Sequence, residues 1–203
     1  MVAFISACSS PKDANKENFK LALNGFLDRN CVLAQYSSLN PDFPITIKID
    51  GLYSPSDNEK YEALVSVGLL DVRDGTEAFV SPFTNKEVSI PTKTYSLTDK
   101  GSKAFKKIDI KDINGFTLRS PKGFCAAALE VKEINSFTEP ADRNGFKVSE
   151  VNYTVSQKNV SEWANNEKIM EAFKLLARDL QENNDQSSTL VLINDGWVHP
   201  NEK

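Results

Sequence analysis

Few residues in this 203-residue chain have side chains suited to catalysis. His199 is the one histidine and lies close to the C-terminus, where fraying is expected, so a Ser–His or Cys–His mechanism would depend on it. We expect its imidazole to be solvated. The chain has no Gly-rich phosphate loop, no nucleophile-elbow motif and no cluster of metal ligands. The sequence therefore predicts no catalytic residue, no cofactor and no metal.

Carboxylates offer the remaining route to catalysis. Four of them could pair across neighbouring strands, as hydrolases require: Glu133, Glu139, Asp142 and Glu150. Because the chain has 28 acidic residues, such proximity is expected by chance. We therefore expect a protein that is not an enzyme, and a periplasmic enzyme with a carboxylate site is the weaker alternative.

The cysteine nearest the N-terminus indicates a different chemistry. Ile5-Ser6-Ala7-Cys8 places a branched apolar residue and two small residues before a cysteine, and a polar, Pro-containing stretch follows. This motif resembles the lipobox of bacterial lipoproteins. The resemblance implies lipidation of Cys8 and a signal remnant and tether over 1–12. It also implies the periplasmic face of the outer membrane, because Ser9 rather than Asp follows the cysteine.

The segment before Cys8 is shorter than a secretory leader. Such a leader needs a basic region and about 7–15 apolar residues, whereas no Lys or Arg precedes Cys8. We expect the true start to lie upstream of Met1. The alternative is a chance match at the frayed N-terminus of a cytoplasmic protein. No apolar run approaches the roughly 18–20 residues of a spanning helix, so the lipid would supply the membrane affinity.

Cys31 and Cys125 are the other two cysteines. If lipid occupies Cys8, two thiols remain, and an oxidising periplasm favours their pairing. Such a bridge would close a loop of about 95 residues and stabilise the fold by roughly 4–5 kcal/mol in the chain-entropy model. The alternative is two unrelated buried thiols, because a free cysteine packs like a small hydrophobic residue.

Two tryptophans are the candidate contacts for a ligand or for a protein partner in the envelope. Trp163 lies at the first turn of a predicted helix, and Trp197 follows the turn signal Asn194-Asp195-Gly196. Each indole can donate its N–H and could face a ligand, although packing against the core is the favoured alternative.

Composition narrows the class of partner. Hydrophobic residues make up 40% and charged residues 26% of the chain, as in an ordinary globular protein. The net charge of −4 argues against a general polyanion binder. The sequence therefore favours a binding or envelope-interaction role over nucleic-acid recognition.

The elements of the first half, 13–108, are predicted from apolar spacing. They are a helix over 13–30, a strand over 43–50, a helix that begins at a capping box at Ser56, and a hairpin over 71–97. Residues 61–105, with Gly68-Leu69-Leu70 and the segment YSLTDKG, resemble the second half of a winged-helix domain. The resemblance implies a cytosolic DNA-binding regulator as the alternative function.

The local charges argue against DNA reading by this segment. Lys60 is the one base in the second helix and stands beside Glu59 and Glu62, whereas phosphate contacts dominate nucleic-acid affinity. Beyond the hairpin lies a basic cluster that we interpret as a solvated face, formed by Lys100, Lys103, Lys106 and Lys107.

The second half, 124–203, is rich in strand patterns. Residues 124–134 and 146–156 alternate, an amphipathic helix is predicted over 161–181, and a last strand covers 189–193. These segments resemble small uncharacterised lipoproteins of Gram-negative bacteria. The chain is thus expected to be α+β, with a helix-rich, winged-helix-like first half and an antiparallel sheet packed against the long helix. The halves are either two domains or one continuous domain.

Overall fold

The computed structural model describes residues 10–35, 42–49, 55–80, 85–111, 116–181 and 183–202. Strands account for 49% and helices for 28% of these residues, so the fold is mostly β. The predicted α+β class with a helix-rich, winged-helix-like first half is therefore wrong. No helix in the described part of the chain is long and apolar enough to cross a bilayer.

Twelve strands are present in the described ranges: β1 Cys31–Gln35, β2 Ile45–Lys48, β3 Leu70–Val80, β4 Glu87–Leu97, β5 Phe105–Lys107, β6 Ile110–Lys111, β7 Thr117–Arg119, β8 Lys122–Phe137, β9 Ala141–Arg143, β10 Phe146–Lys158, β11 Asn184–Ile193 and β12 Gly196–Val198. The α-helices there are α1 Lys16–Leu27, α2 Pro55–Ser66, α3 Asp99–Ala104, α4 Glu167–Ala172 and α5 Lys174–Gln181, and single 3₁₀ turns cover Glu162–Asn165 and Pro200–Glu202.

The main sheet is a curled, antiparallel half-barrel of seven strands. Its order is β1-β8-β10-β11-β12, with β5 also paired to β8 and β9 to β10. The two long central strands, β8 and β10, come from the alternating segments, in which every second side chain points to the same face. The register between them shifts twice, which increases the local twist.

Helix α1 lies against one face of the half-barrel. Its buried stripe of Phe19, Ala22, Leu23 and Leu27 recurs at the spacing of an amphipathic helix. This stripe joins a core with residues of β8, β10, β11 and β12, which are Val131, Ile134, Val151, Tyr153, Val155, Leu190 and Trp197. Helix α1 therefore packs across the sheet, a position that the sequence had assigned to the segment 161–181, and that segment packs on β1 and β8 in a separate core.

The predicted long helix over 161–181 is divided into three pieces. A 3₁₀ turn and α4 are followed by Phe173, whose φ of −115° and ψ of 66° end α4 before α5 begins. The apolar spacing on which the helix was predicted nevertheless marks buried positions, because Ile169, Phe173 and Leu176 are buried and Met170 and Leu180 are partly buried. The spacing of the apolar residues predicts which side chains are buried. It does not predict that the helix ends at Phe173, because Phe173 fits the same spacing.

A second core joins a small sheet, ordered β2-β4-β3, to α2, α4, α5 and the half-barrel. Leu64 and Tyr95 belong to this core together with Phe124 and Trp163, so residues from both sides of 108–123 share it. Helix α2 contacts both α4 and β3. Its base Lys60 is buried with its Nζ 5.9 Å from the centroid of the Phe173 ring, so this helix does not present that base to solvent.

Candidate functional site

The predicted disulfide between Cys31 and Cys125 is confirmed. The two Cα atoms are 5.6 Å apart, and the bridge links residues 94 positions apart in the chain. It joins β1, the first strand in the sheet order, to its neighbour β8. The bridge lies next to a shift in the register of these two strands, between Val32 and Leu33. Cys8 lies outside the described residues, so its lipidation stays a prediction.

A cleft of about 610 Å³, which we call the main cleft, opens beside α1 on the half-barrel. Its floor is apolar and is built from the end of α1 and from β1, β8 and β10: Phe26, Leu27, Val32, Leu33, Leu129, Tyr153 and Val155. Its rim is polar: Asn30, Gln35, Arg119, Gln157, Arg178, Asp179, Asn184 and Gln186. An apolar floor with a few polar groups at the rim is typical of a small-molecule site.

Hydrogen bonds hold the rim of the main cleft in place. Gln157 donates from Nε2 to the backbone oxygen of Asp179 at 2.5 Å, which ties β10 to α5. The Arg178 guanidinium donates from Nε and Nη2 to Oδ1 of Asp179 at 3.0 and 2.8 Å. On the floor, burial raises the pKa of Tyr153, whose hydroxyl lies 3.1 Å from Oγ of Ser188. The tyrosine is therefore a neutral hydrogen-bonding group.

A second cleft of about 330 Å³, which we call the basic cleft, adjoins the main cleft. Its charged lining residues are Asp28 and Arg29, just after α1, and Lys106 and Lys107 on β5. Both cysteines of the disulfide also line it. Lys107 lies 3.4 Å from Asp109 in an exposed ion pair, which contributes little stability.

Three residues line both clefts: Asn30, Cys31 and Ile108. Asn30 is fixed there because its Nδ2 donates to the backbone oxygen of Phe26 at 2.8 Å. Cys31 is fixed by its bridge to β8. The shared wall between the main cleft and the basic cleft is thus held to both α1 and the sheet.

The two tryptophans lie in the cores. Trp163 is 6% and Trp197 5% exposed, and neither lines the main or the basic cleft. The Trp197 indole donates from Nε1 to the backbone oxygen of Lys12 at 3.1 Å and packs edge-on against Phe19. A ligand or partner contact by either tryptophan stays a prediction.

His199 differs from the sequence expectation. Its side chain is buried rather than solvated, and its ring stacks on Phe26, a floor residue of the main cleft. Its Nδ1 accepts a hydrogen bond from the backbone N–H of Asn201 at 3.2 Å. Burial lowers its pKa to about 4. The imidazole therefore holds the C-terminal segment against α1.

Three of the four candidate carboxylates stand opposite residues that are not acidic. The Cα partners of Glu133, Asp142 and Glu150 are Thr154, Lys147 and Thr189. Within the described ranges, no group of three or more His, Cys, Asp or Glu side chains could hold a metal ion. We therefore base no site on these acids.

Comparison with known proteins identifies no family. No family model matches the chain, and no curated protein and no solved structure matches it. Functional inference therefore rests on the two clefts.

Most residues of the clefts were missed by sequence reasoning. They come from short segments far apart in the chain, from Phe26 to Gln186, and share no motif. One signal was present, because Lys106 and Lys107 belong to the basic cluster that we interpreted as a solvated face. In the structure these two lysines line the basic cleft, whereas Lys100 and Lys103 do not.

Proposed function

We propose that this protein is a lipid-anchored binding protein at the periplasmic face of the bacterial outer membrane, and that its ligand occupies the main cleft. The lipobox resemblance at Cys8 supports the anchor. The Cys31–Cys125 bridge supports an oxidising compartment, because disulfides are rare in reducing cytosol. A binding role is compatible with an anchored protein in an oxidising compartment.

The main cleft is the observation that carries the binding role. Its volume lies within the usual range of ligand pockets. Its apolar floor favours transfer of apolar ligand surface out of water, at roughly 25 cal/mol for each Å² that is buried. The polar rim residues Gln157 and Asp179 are already hydrogen-bonded to each other, so they can orient a ligand with little rearrangement.

We do not propose the DNA-binding alternative. Its helix is α2, which is packed between α4 and the small sheet. Lys60 is buried there, and Glu62 is engaged by Lys93 and Tyr95. The helix therefore offers no cationic face suited to phosphate contacts.

Binding in the main cleft is tested with N-phenyl-1-naphthylamine, an uncharged apolar fluorophore. The exposed rim residue Gln186 is replaced in Gln186→Trp, whose indole should occupy the cleft. Ser187→Trp is the matched control, because Ser187 is exposed, next in β11 and absent from the cleft lining, and successive side chains of a strand point to opposite faces. We expect saturable fluorescence in the wild type and Ser187→Trp, and at least tenfold weaker binding in Gln186→Trp. Equal binding by all three proteins would overturn the assignment.

The anchor is tested separately in cells. The gene with its upstream reading frame is expressed as wild type and as Cys8→Ala, and membranes are separated from the soluble fraction. We expect the wild type in the outer-membrane fraction and Cys8→Ala in the soluble periplasmic fraction. Soluble behaviour of both proteins would refute lipidation.

A further inference from the structure

The two clefts together form a site with one apolar and one cationic part. We infer that the ligand is an anionic amphiphile, with its hydrocarbon chain in the main cleft and its acidic head group in the basic cleft. This inference rests on the proposed binding function and adds the chemical class of the ligand.

The first support is that the two clefts adjoin. Asn30, Cys31 and Ile108 line both of them, so a ligand that passes over this shared wall contacts both clefts. The wall is rigid, because Asn30 is bonded to α1 and Cys31 is bridged to β8. A rigid wall keeps the apolar and the charged part at a fixed distance, which reduces the ordering cost of binding.

The second support is charge. The chain as a whole has a net charge of −4. The residues that line the basic cleft nevertheless include three cations and one carboxylate, which are Arg29, Lys106 and Lys107 against Asp28. At the rim of the main cleft Arg119 adds a further cation, and Arg178 is paired with Asp179. This local excess of positive charge, opposite to that of the whole chain, is complementary to an acidic group.

The third support is that the apolar residues and the lysines lie in different clefts. The deep floor of the main cleft is apolar: Leu27 and Val155 are buried side chains from α1 and β10. The basic cleft instead places Lys106 and Lys107 at the surface, where Lys107 forms an exposed ion pair with Asp109 and both ammonium groups can contact an arriving anion. A ligand that is charged at one end and apolar along its length matches both parts, whereas an ion alone or a hydrocarbon alone matches one.

The test compares dodecyl phosphate with dodecanol, both below their aggregation concentrations, as competitors of N-phenyl-1-naphthylamine bound to the folded protein. We expect both to displace the fluorophore, with dodecyl phosphate binding about tenfold more tightly. Lys106→Gln/Lys107→Gln should reduce that preference at least threefold and leave dodecanol unchanged. Lys100→Gln/Lys103→Gln is the matched control, because it removes the same charge from the same basic cluster outside the cleft.

The outcomes separate this inference from the proposed function. Fluorophore binding that Gln186→Trp abolishes, with equal affinity for the two amphiphiles, would overturn the amphiphile inference and leave the binding function standing. Equal effects of the two double-lysine variants would also overturn it, since the preference would then reflect overall charge. Displacement by phosphatidylglycerol vesicles as well as by dodecyl phosphate would support the inference with a membrane lipid as the source. Displacement by dodecyl phosphate alone would support a free amphiphile.

Discussion

The imidazole of His199 stacks on the ring of Phe26, with 3.7 Å between the centroids and 12° between the planes. The contact joins the C-terminal segment to the last turn of α1, and the His199 side chain is buried there. Because Phe26 also lines the main cleft, the stack supports one wall of the candidate site.

Protonation of His199 should destabilise the fold. Burial lowers the pKa of this imidazole from 6.5 to about 4, because desolvation penalises the charged form. A base with a lowered folded-state pKa contributes stability above its unfolded-state pKa, and that stability is lost as the pH falls from about 6.5 to about 4. At about 1.4 kcal/mol for each pH unit the full window corresponds to about 3.4 kcal/mol, and solvent screening of the charged ring should reduce the lost unfolding free energy to about 2 kcal/mol.

Urea unfolding of the wild type and of His199→Phe at several pH values across that window measures this contribution. The phenyl ring keeps the stack on Phe26 but does not titrate, so the variant should lose less stability than the wild type. The carboxylates titrate in both proteins and cancel in the difference. Parallel losses in the two proteins would contradict the expectation.

The hydroxyl of Tyr95 should stabilise the small sheet through Glu62. It donates to Oε1 of Glu62 at 2.8 Å, and the same oxygen accepts from Nζ of Lys93 at 2.6 Å. These bonds lower the pKa of Glu62, so their contribution is lost as the pH falls through the carboxyl titration. We expect Tyr95→Phe to lower the free energy of unfolding by about 1 kcal/mol.

The control for this network is an ion-paired glutamate on the small sheet itself, whereas Glu62 lies on α2. Glu77 pairs with Lys48 at 2.8 Å at the surface and bonds no buried tyrosine in the described structure. Glu77→Gln should therefore change the unfolding free energy by less than about 0.5 kcal/mol. Glu62→Gln should cost more than Glu77→Gln in denaturant titrations. Equal costs would show that the bond to Tyr95 contributes nothing.

Asn24 should stabilise the packing of α1 on the half-barrel. Its Oδ1 accepts the backbone N–H of Val131 at 2.8 Å, close to a register shift between β8 and β10. Asn24→Ala leaves that partly buried N–H without this acceptor, which should cost about 1–2 kcal/mol. Leu21→Ala on the exposed side of α1 is the control and should cost less than about 0.5 kcal/mol. Chemical denaturation measures the unfolding free energy of both variants. Similar losses in the two variants would contradict the role of Asn24.

The disulfide should stabilise both the fold and the main cleft. We expect Cys31→Ala/Cys125→Ala to lower the unfolding free energy by about 2–5 kcal/mol, because the loop that the bridge closes is long. The variant should also bind the apolar fluorophore less well, since β1 supplies Val32 and Leu33 to the cleft floor. Cys8→Ala should change neither property. Two reactive thiols at Cys31 and Cys125 in the denatured, unreduced protein would refute the bridge.

The spacing of apolar residues in the sequence predicted where strands and helices occur better than it predicted how they pack together. The alternation over 124–134 and 146–156 lies within β8 and β10, and the apolar stripe of α1 is buried. Helix 13–30 was predicted too long, because α1 ends at Leu27 and Cys31 begins a strand. Strand β11 was predicted too short, since its first residues, from Asn184 to Ser188, are polar and carry no hydrophobic alternation.

The site was less predictable than the elements. The cysteine count and the lipobox resemblance led to the correct pairing of Cys31 with Cys125. The clefts depend on which elements meet, and that is decided by nonlocal packing of α1 and α5 with the strands. Residues such as Arg119 and Gln186 have no special neighbours in the sequence, so no local pattern distinguishes them from other surface residues.

The bond between Trp197 and Lys12 determines how an anchored molecule would stand on its membrane. The chain is fixed from Ser10 onward, because Ser10 and Lys12 are bonded to Asp13 and Trp197. Ser10 is two positions after Cys8 in the sequence, a reach of about 7 Å at most. A lipid on Cys8 would therefore hold the β12 end of the half-barrel close to the bilayer surface.

The main cleft extends from Asn184, at the start of β11, to Phe26, on which His199 stacks just after β12. Strand β11 runs from Asn184 at the cleft to Ile193 beside β12, a span of 10 residues or roughly 30 Å. In an anchored protein, the Asn184 side of the cleft would thus lie up to that distance from the end of the sheet that the lipid holds.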